Sequence, residues 1–464
     1  MQFDSYIYAL FLPLVFVLYW ALNRHFKWQN ALLLAASYTF YGWWDWRLLG
    51  LIVLTSVTTF ASGLAIERRP GGKRWWATLS IAINLGILIC FKYLNFFRDT
   101  AAALLQCMGI GVDWPMINIV LPVGISFYTF QAMSYTIDVY RGEVKATRNL
   151  PVFLTYIAFF PQLVAGPIER ASHLLPQLLQ PRRFDYGNAV VGMRQILWGL
   201  AKKVLVADTI GSYLETMMYN PHIQSASTLA MGSLIFAIQI YADFSGYSDI
   251  AIGSARLFGI RLTANFKYPF FSRSVHEFWQ RWHITLINWF RHYVYYPLGG
   301  SRCGKWRTCL NVMIVFTLSG LWHGADVTYL MWGIANGLLV LPTVIAGRRT
   351  PDRLVGWRDL PMCALTTVAF AVTLIPFRAF SIRNFNEIAS TLVHGDWLVM
   401  PQGISVWLFI IPMLVIDWIG RRMEFPLERM RMPLVARWAV YWILLGLIAY
   451  YGAGRQLNYI YFQF

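Results

Sequence analysis

Charge is what this 464-residue chain has least of: Asp, Glu, Lys and Arg together make up 13% of it, against the roughly 25% that a soluble chain uses to face water. Acidic residues are scarcer still, 22 against 39 Lys and Arg, a formal charge of +17. The five cysteines, Cys90, Cys107, Cys303, Cys309 and Cys363, form no CxxC pair and no metal-ligand spacing with histidine. They imply neither a disulfide framework nor a structural metal. No long polar, Gly/Ser-rich or charged insert marks off a soluble domain. Also missing are the GxxxxGK[ST] loop of nucleotide phosphates, the HExxH of zinc hydrolases and the GxSxG elbow of serine hydrolases.

What is present is apolar. Hydrophobic residues are 57% of the chain, and its mean hydropathy is +0.48. Stretches of about 20 apolar residues, the length a membrane helix needs, recur from end to end. The expectation is an all-α polytopic membrane protein of roughly 10–12 membrane-embedded segments in one domain, residues 1–464. Residues 6–22 read as a retained first helix and not as a cleaved signal, because Asp4 precedes them and Arg24 and Lys27 follow. The other basic residues collect in short loops, among them Arg68, Arg69, Lys73 and Arg74, then Arg141, Lys145 and Arg148, then Arg348, Arg349 and Arg353, then Arg421, Arg422, Arg429 and Arg431. That is the positive-inside pattern of cytoplasmic loops. It accounts for the net charge without nucleic acid, and it puts both termini on the extracytoplasmic side. A basic inner face would also attract an anionic cytosolic substrate such as a coenzyme A thioester.

Along the chain, the pair 31–44 and 48–66 meets at Trp43, Trp44 and Trp46, an interfacial aromatic anchor, and spans at 77–97 and 116–140 follow. Pro161 and Pro167 bend the segment 150–168. Residues 184–218, with Lys202 and Lys203 beside aliphatic residues, read as an interfacial or partly submerged amphipathic helix. The last spans are 404–419 and 438–451. Between them and the first half, residues 235–324 set Asp243, Asp249, Asn265, His276, Glu277, Arg281, His283, Arg291 and His292 among apolar neighbours. Ionisable groups at membrane depth are costly unless they face a protein interior or a watery cavity, so the catalytic core is placed at about 235–345.

Residues 276–289 lack proline and glycine and should be one helix. Helical spacing then stacks His276, Gln280 and His283 on one face and pairs Glu277 with Arg281. His323 lies in SGLWHG, inside the apolar span 311–341. It is either a structural hydrogen-bonding residue between helices or a neutral imidazole able to take a proton from an attacking hydroxyl. Gln280-Arg281-Trp282 has the wrong spacing for the QxxRW signature of polysaccharide synthases, and no sugar-nucleotide domain accompanies it.

Taken together, YADFSGYSDIAIG at 241–253, NFKYPF at 265–270, EFWQRWHITL at 277–286 and SGLWHG at 319–324 closely resemble the membrane-bound O-acyltransferase family. Within it the resemblance is to the bacterial branch of alginate O-acetylation membrane subunits and teichoic acid D-alanyl transferases. LFLPLVFVLYW, ASYTFYGWW and LPVGISFYTFQAMSYTIDVYRGE extend it over nearly the whole chain.

The resemblance implies a ring of membrane helices, thinned at the centre, whose cytoplasmic and extracellular funnels form a tunnel near a histidine. It makes His323 the catalytic histidine and His283 the second, with Asp243, Asn265, Gln280, Arg281 and Trp322 as candidate tunnel-lining residues, no metal and no bound cofactor. Acetyl-coenzyme A would be the donor substrate. The tail, about 452–464, ends Tyr459-x-Tyr461-x-x-Phe464, similar to the FxYxxF ending of this branch with Tyr in place of the first Phe. It implies Tyr461 as an acyl carrier, the alternative being an aromatic interfacial anchor. The implied role is O-acetylation of an extracellular polysaccharide (alginate, cellulose or similar) from the bacterial inner membrane. A periplasmic SGNH-type acetyltransferase, exopolysaccharide machinery and membrane lipids would be the partners. A transporter or scaffold subunit without covalent chemistry is the competing class.

Overall fold

Tyr8, Leu12, Val15 and Tyr19 recur at helical spacing in the first apolar stretch and are buried, while Leu10, Leu14, Val17 and Leu18 on the other side are equally apolar and exposed. A helix apolar all round is what a lipid-facing position requires. In the computed structural model, which describes residues 1–111, 114–115, 119–218, 220–347, 353–453 and 459–460, this is α1 (Tyr6–Ala21). Among the described residues all regular elements are helices, and the chain forms two compact units, Met1–Asp185 with Phe258–Leu262 and Tyr186–Leu257 with Thr263–Phe464.

The first unit continues with α2 (Phe26–Asp45), α3 (Leu49–Arg68), α4 (Lys73–Leu88), α5 (Leu94–Cys107), α6 (Ile125–Arg141), α7 (Leu150–Ala158) and α8 (Ala171–Leu179). Asp45 leaves helical geometry (φ −155°, ψ 109°) and its carboxylate accepts the Arg47 N–H, so α2 and α3 are separate helices of 20 residues, each about 30 Å long. The expected segment 116–140 becomes helical only at Ile125, after Gly124 at φ +76°; its start at Met116 lies outside the described residues. A Cβ on Gly124 would sit 2.7 Å from the Leu163 carbonyl oxygen. The segment 150–168 is helical only to Ala158, short of both prolines.

The second unit holds α9 (Tyr186–Leu200), α10 (Thr209–Met218), α11 (Ala226–Leu257), α12 (Val275–Arg281), α13 (Ile284–Phe290), α14 (Lys305–His323), α15 (Val327–Ile345), α16 (Leu360–Arg378), α17 (Ile382–His394), α18 (Trp407–Gly420) and α19 (Leu434–Gly452). Glycine lets α9 and α11 approach closely. A Cβ at Gly246 would come within 2.8 Å of the Gly199 carbonyl oxygen, and one at Gly253 within 2.6 Å of that of Gly192. Small residues at such a crossing are how membrane helices gain packing where burial from water gives none.

Among the described residues six stretches are long and apolar enough to cross a membrane: 26–68, 70–107, 226–257, 327–345, 357–378 and 434–452, with shorter apolar helices at Tyr6–Ala21 and Ile404–Gly420. The protein is a multi-pass, all-helical membrane protein.

Three readings of the second unit need correction. Residues 184–218 are not an interfacial helix: α9 passes into a π-helical turn, Ala201–Asp208, and Lys202 and Lys203 are 3% and 0% exposed. Besides Asp208 in the same turn, their acidic partners are Asp243 and Asp249 of α11, some 40 residues on, where no local pattern reveals them. Residues 276–289 are not one helix, because the chain breaks between α12 and α13 at Trp282 and His283. Residues 311–341 are not one span. α14 stops at His323, Gly324 is extended, and Asp326 caps α15 by accepting the Thr328 N–H at 2.9 Å.

Candidate active site

His283 owes its position to a loop that grips the chain on both sides of it. The Lys267 N–H donates to the Arg281 carbonyl and the Ile284 N–H to the Asn265 carbonyl, each at 2.9 Å. The Thr285 hydroxyl donates to Asn265 Oδ1 at 2.6 Å, while Asn265 Nδ2 donates to Ser248 Oγ of α11 at 3.3 Å. Held this way, the residue between α12 and α13 takes φ 43°, ψ 52°. Such a left-handed conformation costs an L side chain about 1–2 kcal/mol. It turns the imidazole into the interior, where it is 1% exposed and sits 4.7 Å, centroid to centroid, from Phe244.

His323 is placed by the α14–α15 hairpin. Gly320 and Gly333 let the two helices touch, a Cβ at either falling within 2.4 Å of a backbone oxygen of the other helix, and Gly324 leaves room for the Tyr329 ring, 2.1 Å from where its Cβ would be. The imidazole, 5% exposed, lies 4.9 Å from each of Trp322 and Trp332 and 5.6 Å from Phe377. Its centroid is 6.5 Å from that of His283, and Trp322 touches both rings. With ring nitrogens about 1 Å from each centroid, that separation keeps the two rings beyond a direct hydrogen bond of ~3 Å.

Behind Phe377 and Tyr329 lies a cavity of about 620 Å³ whose walls also include Asp326, Arg378, Lys203 and Asp243. Lys203 Nζ bonds Asp243 at 2.9 Å and Asp208 at 2.8 Å. Lys202 Nζ bonds Asp249 at 2.6 Å and Ser245 at 2.8 Å, and Tyr241 donates to Asp417 at 2.8 Å. Buried cations persist because carboxylates face them, and removing one partner would strand the other.

The structure thus brings His323, His283 and Trp322 together, with Asn265 holding the His283 turn and Asp243 in the cavity wall. Arg281 pairs with Glu277 at 2.6 Å, as its spacing suggested, and Glu277 also binds Arg273 at 2.9 Å. Gln280 lies on the exposed side of α12 and bonds His276 at 3.0 Å; the helix break removes the expected His276–Gln280–His283 stripe. Tyr461 lies outside the described residues. Sequence reasoning assigned Lys203 to an amphipathic helix and no role in the site, and passed over Asp208, Trp332 and Phe377. Adjacent lysines within an otherwise apolar stretch were the available signal for the first.

Residues 143–375, which hold both histidines, match the family model of MBOAT, the membrane-bound O-acyltransferase family. The chain is 35% identical over 440 residues to the probable alginate O-acetylase AlgI of Pseudomonas putida, covering 91% of this chain and 88% of that protein. It is 39% identical over 405 residues to the probable alginate O-acetylase AlgI of Azotobacter vinelandii, covering 86% and 79%. To the peptidoglycan O-acetyltransferase of Helicobacter pylori it is 32% identical over 364 residues, covering 72% and 68%.

Proposed function

The chain belongs to the membrane-bound O-acyltransferase family, and from that premise we propose that it O-acetylates an extracellular polysaccharide across the bacterial inner membrane with acetyl-coenzyme A as donor. The observation that carries the proposal is the histidine pair: two buried imidazoles 6.5 Å apart in an aromatic cage beside a polar cavity that could admit an acceptor.

In this reading the thioester carbonyl reaches His323 from the cytoplasmic side, where the basic loops would attract the phosphates of coenzyme A. His323 takes the proton of the attacking hydroxyl as its oxygen bonds to the carbonyl carbon. The C–S bond then breaks, and the imidazolium returns the proton to the departing thiolate. The dry cage leaves no water to compete for the acetyl group. Trp322 and His283 orient the acceptor, and His283 is placed to donate a hydrogen bond.

The acceptor we favour is Tyr461 of the tail, on the extracytoplasmic side with both termini. Support comes from Ile460, its neighbour in sequence, which lines the cavity. A periplasmic acetyltransferase of SGNH type would then take the group from the tyrosyl ester to sugar hydroxyls within the exopolysaccharide machinery. Alginate is the acceptor named for the relatives in Pseudomonas putida and Azotobacter vinelandii and is the first polymer to test here.

The experiment is peptide mass spectrometry of the purified protein after incubation with acetyl-coenzyme A, beside His323→Ala and Tyr461→Phe. One acetyl group on Tyr461, missing from both variants, is the expected result. Release of coenzyme A only when polysaccharide or a partner is added, with Tyr461 unmodified, would replace the relay with direct transfer. No thioester consumption under any condition would remove the enzyme reading and leave a transporter or scaffold.

A further inference from the structure

In the C-terminal tail Tyr459 and Ile460 are both buried, at 1% and 9% exposure. The Ile460 N–H donates to Asp243 Oδ2 at 2.9 Å. The other oxygen of the same carboxylate accepts from Lys203 Nζ at 2.9 Å. That ammonium also stands over the face of the Tyr459 ring, 4.1 Å from its centroid, and Tyr247, one turn after Asp243 on α11, meets the ring edge-on at 4.9 Å.

We propose that the buried Lys203–Asp243 pair is a latch that seats the C-terminal tail at the edge of the cavity, with Tyr459 and Ile460 as the seated segment. Its consequence for catalysis, presentation of the next residue for acyl loading, rests on the reading of Tyr461 as carrier; the seating itself does not.

The chemistry suits a latch. A buried carboxylate needs its lone pairs satisfied, and Asp243 divides them between a fixed cation and the tail. Its bond to the tail is to backbone, so it is indifferent to the side chain at 460 but needs an N–H there. Lys203 selects for an aromatic at 459 through the ring quadrupole, which Tyr and Phe share. Because Asp243 also lines the cavity, water can replace the tail N–H on release, and the tail can therefore be let go without stranding a buried charge. Lys203, Asp208 and Asp243 carry one positive and two negative charges, so donors on the tail are favoured over acceptors. The lysine and aspartate are positioning residues.

The test measures hydrogen–deuterium exchange of the C-terminal peptide and acetyl incorporation at Tyr461 on the same full-length preparations in nanodiscs. The wild type is compared with Ile460→Pro, which removes the N–H and leaves the Lys203 and Asp243 side chains in place, with Ile460→Ala, which keeps the N–H and reports the lost side-chain packing alone, and with Tyr459→Ala and Tyr459→Phe. Exchange at Tyr459 and in the residues beyond 460 is expected to rise about tenfold or more in Ile460→Pro and Tyr459→Ala, the order a charge-assisted hydrogen bond or a desolvated cation–π contact supplies. Acetyl incorporation should fall in parallel, and Tyr459→Phe should restore both. Unchanged exchange in Ile460→Pro and Tyr459→Ala overturns the latch, as does Tyr459→Phe behaving like Tyr459→Ala. Freed tails in the variants with no acetyl on Tyr461 in the wild type would uphold the latch and remove the relay.

Discussion

Helices α11 and α19 are both apolar enough to cross a membrane, yet over their apolar windows α11 is 78% buried and α19 0%. On α19, Leu434, Trp438, Trp442, Ile443 and Leu445 are exposed, a surface suited to lipid. α11 instead buries Asp243, Ser245 and Ser248 together with Gly246 and Gly253. Apolar content alone does not separate the two. In lipid, small and polar residues mark the protein's interior, because lipid can satisfy neither a carboxylate nor a close backbone approach.

The largest expected effect separates chemistry from packing inside the buried region. His323→Ala should lower coenzyme A release by about 10²–10⁴-fold, the range of a lost general base, while the variant still folds and unfolds cooperatively in detergent. A matching loss of folded protein would mean that the histidine is structural. Next in size is Lys203→Met. It leaves Asp208 and Asp243 buried without their cation, at a cost of about 3–5 kcal/mol, read as a lowered unfolding temperature. Adding Asp208→Asn and Asp243→Asn should recover much of that stability without restoring tail seating. Failure of the triple variant to recover would mean that Lys203 packs the core and does not balance charge.

How far this contrast could be read from sequence depends on the range of the forces involved. The apolar runs that became α1, α3 and α19 declare themselves, because lipid exposure acts on each residue separately. So do the Glu277–Arg281 pair and the SGLWHG and RWH histidines, whose motifs are contiguous. The turn at His283 was hidden. Nothing in 276–289 forbids a helix, and the break is imposed by Asn265 and Lys267 from a separate loop. Lys202 and Lys203 were hidden for the same reason: by hydropathy they resemble an interfacial stripe, and only their pairing with Asp243 and Asp249 of α11 reverses that reading. Asp326 was legible in principle as an N-cap two residues before Thr328, and it would have divided 311–341 into two helices.

The smallest effects sharpen the comparison of α11 with α19, using the same substitution on each. Gly253→Leu adds a side chain whose Cβ alone falls 2.6 Å from the Gly192 carbonyl oxygen and 2.9 Å from the Ile196 nitrogen. Both are backbone atoms that can yield only if α9 moves away. Overpacking of about 1–3 kcal/mol or more follows, and since α9 leads into the turn bearing Lys203, tail seating should weaken with it. Gly446 on α19 has no atom within 4 Å of its Cβ position, so Gly446→Leu only extends an apolar surface toward lipid. Its effect should stay within about 0.5 kcal/mol, or favour the helix slightly, because leucine has the better helix propensity. Unfolding temperatures of the two variants, measured in the same nanodiscs, decide the matter. A clear loss at Gly446 would mean that α19 is covered by protein, and the apparent lipid face would then be an interface with a partner or a second copy.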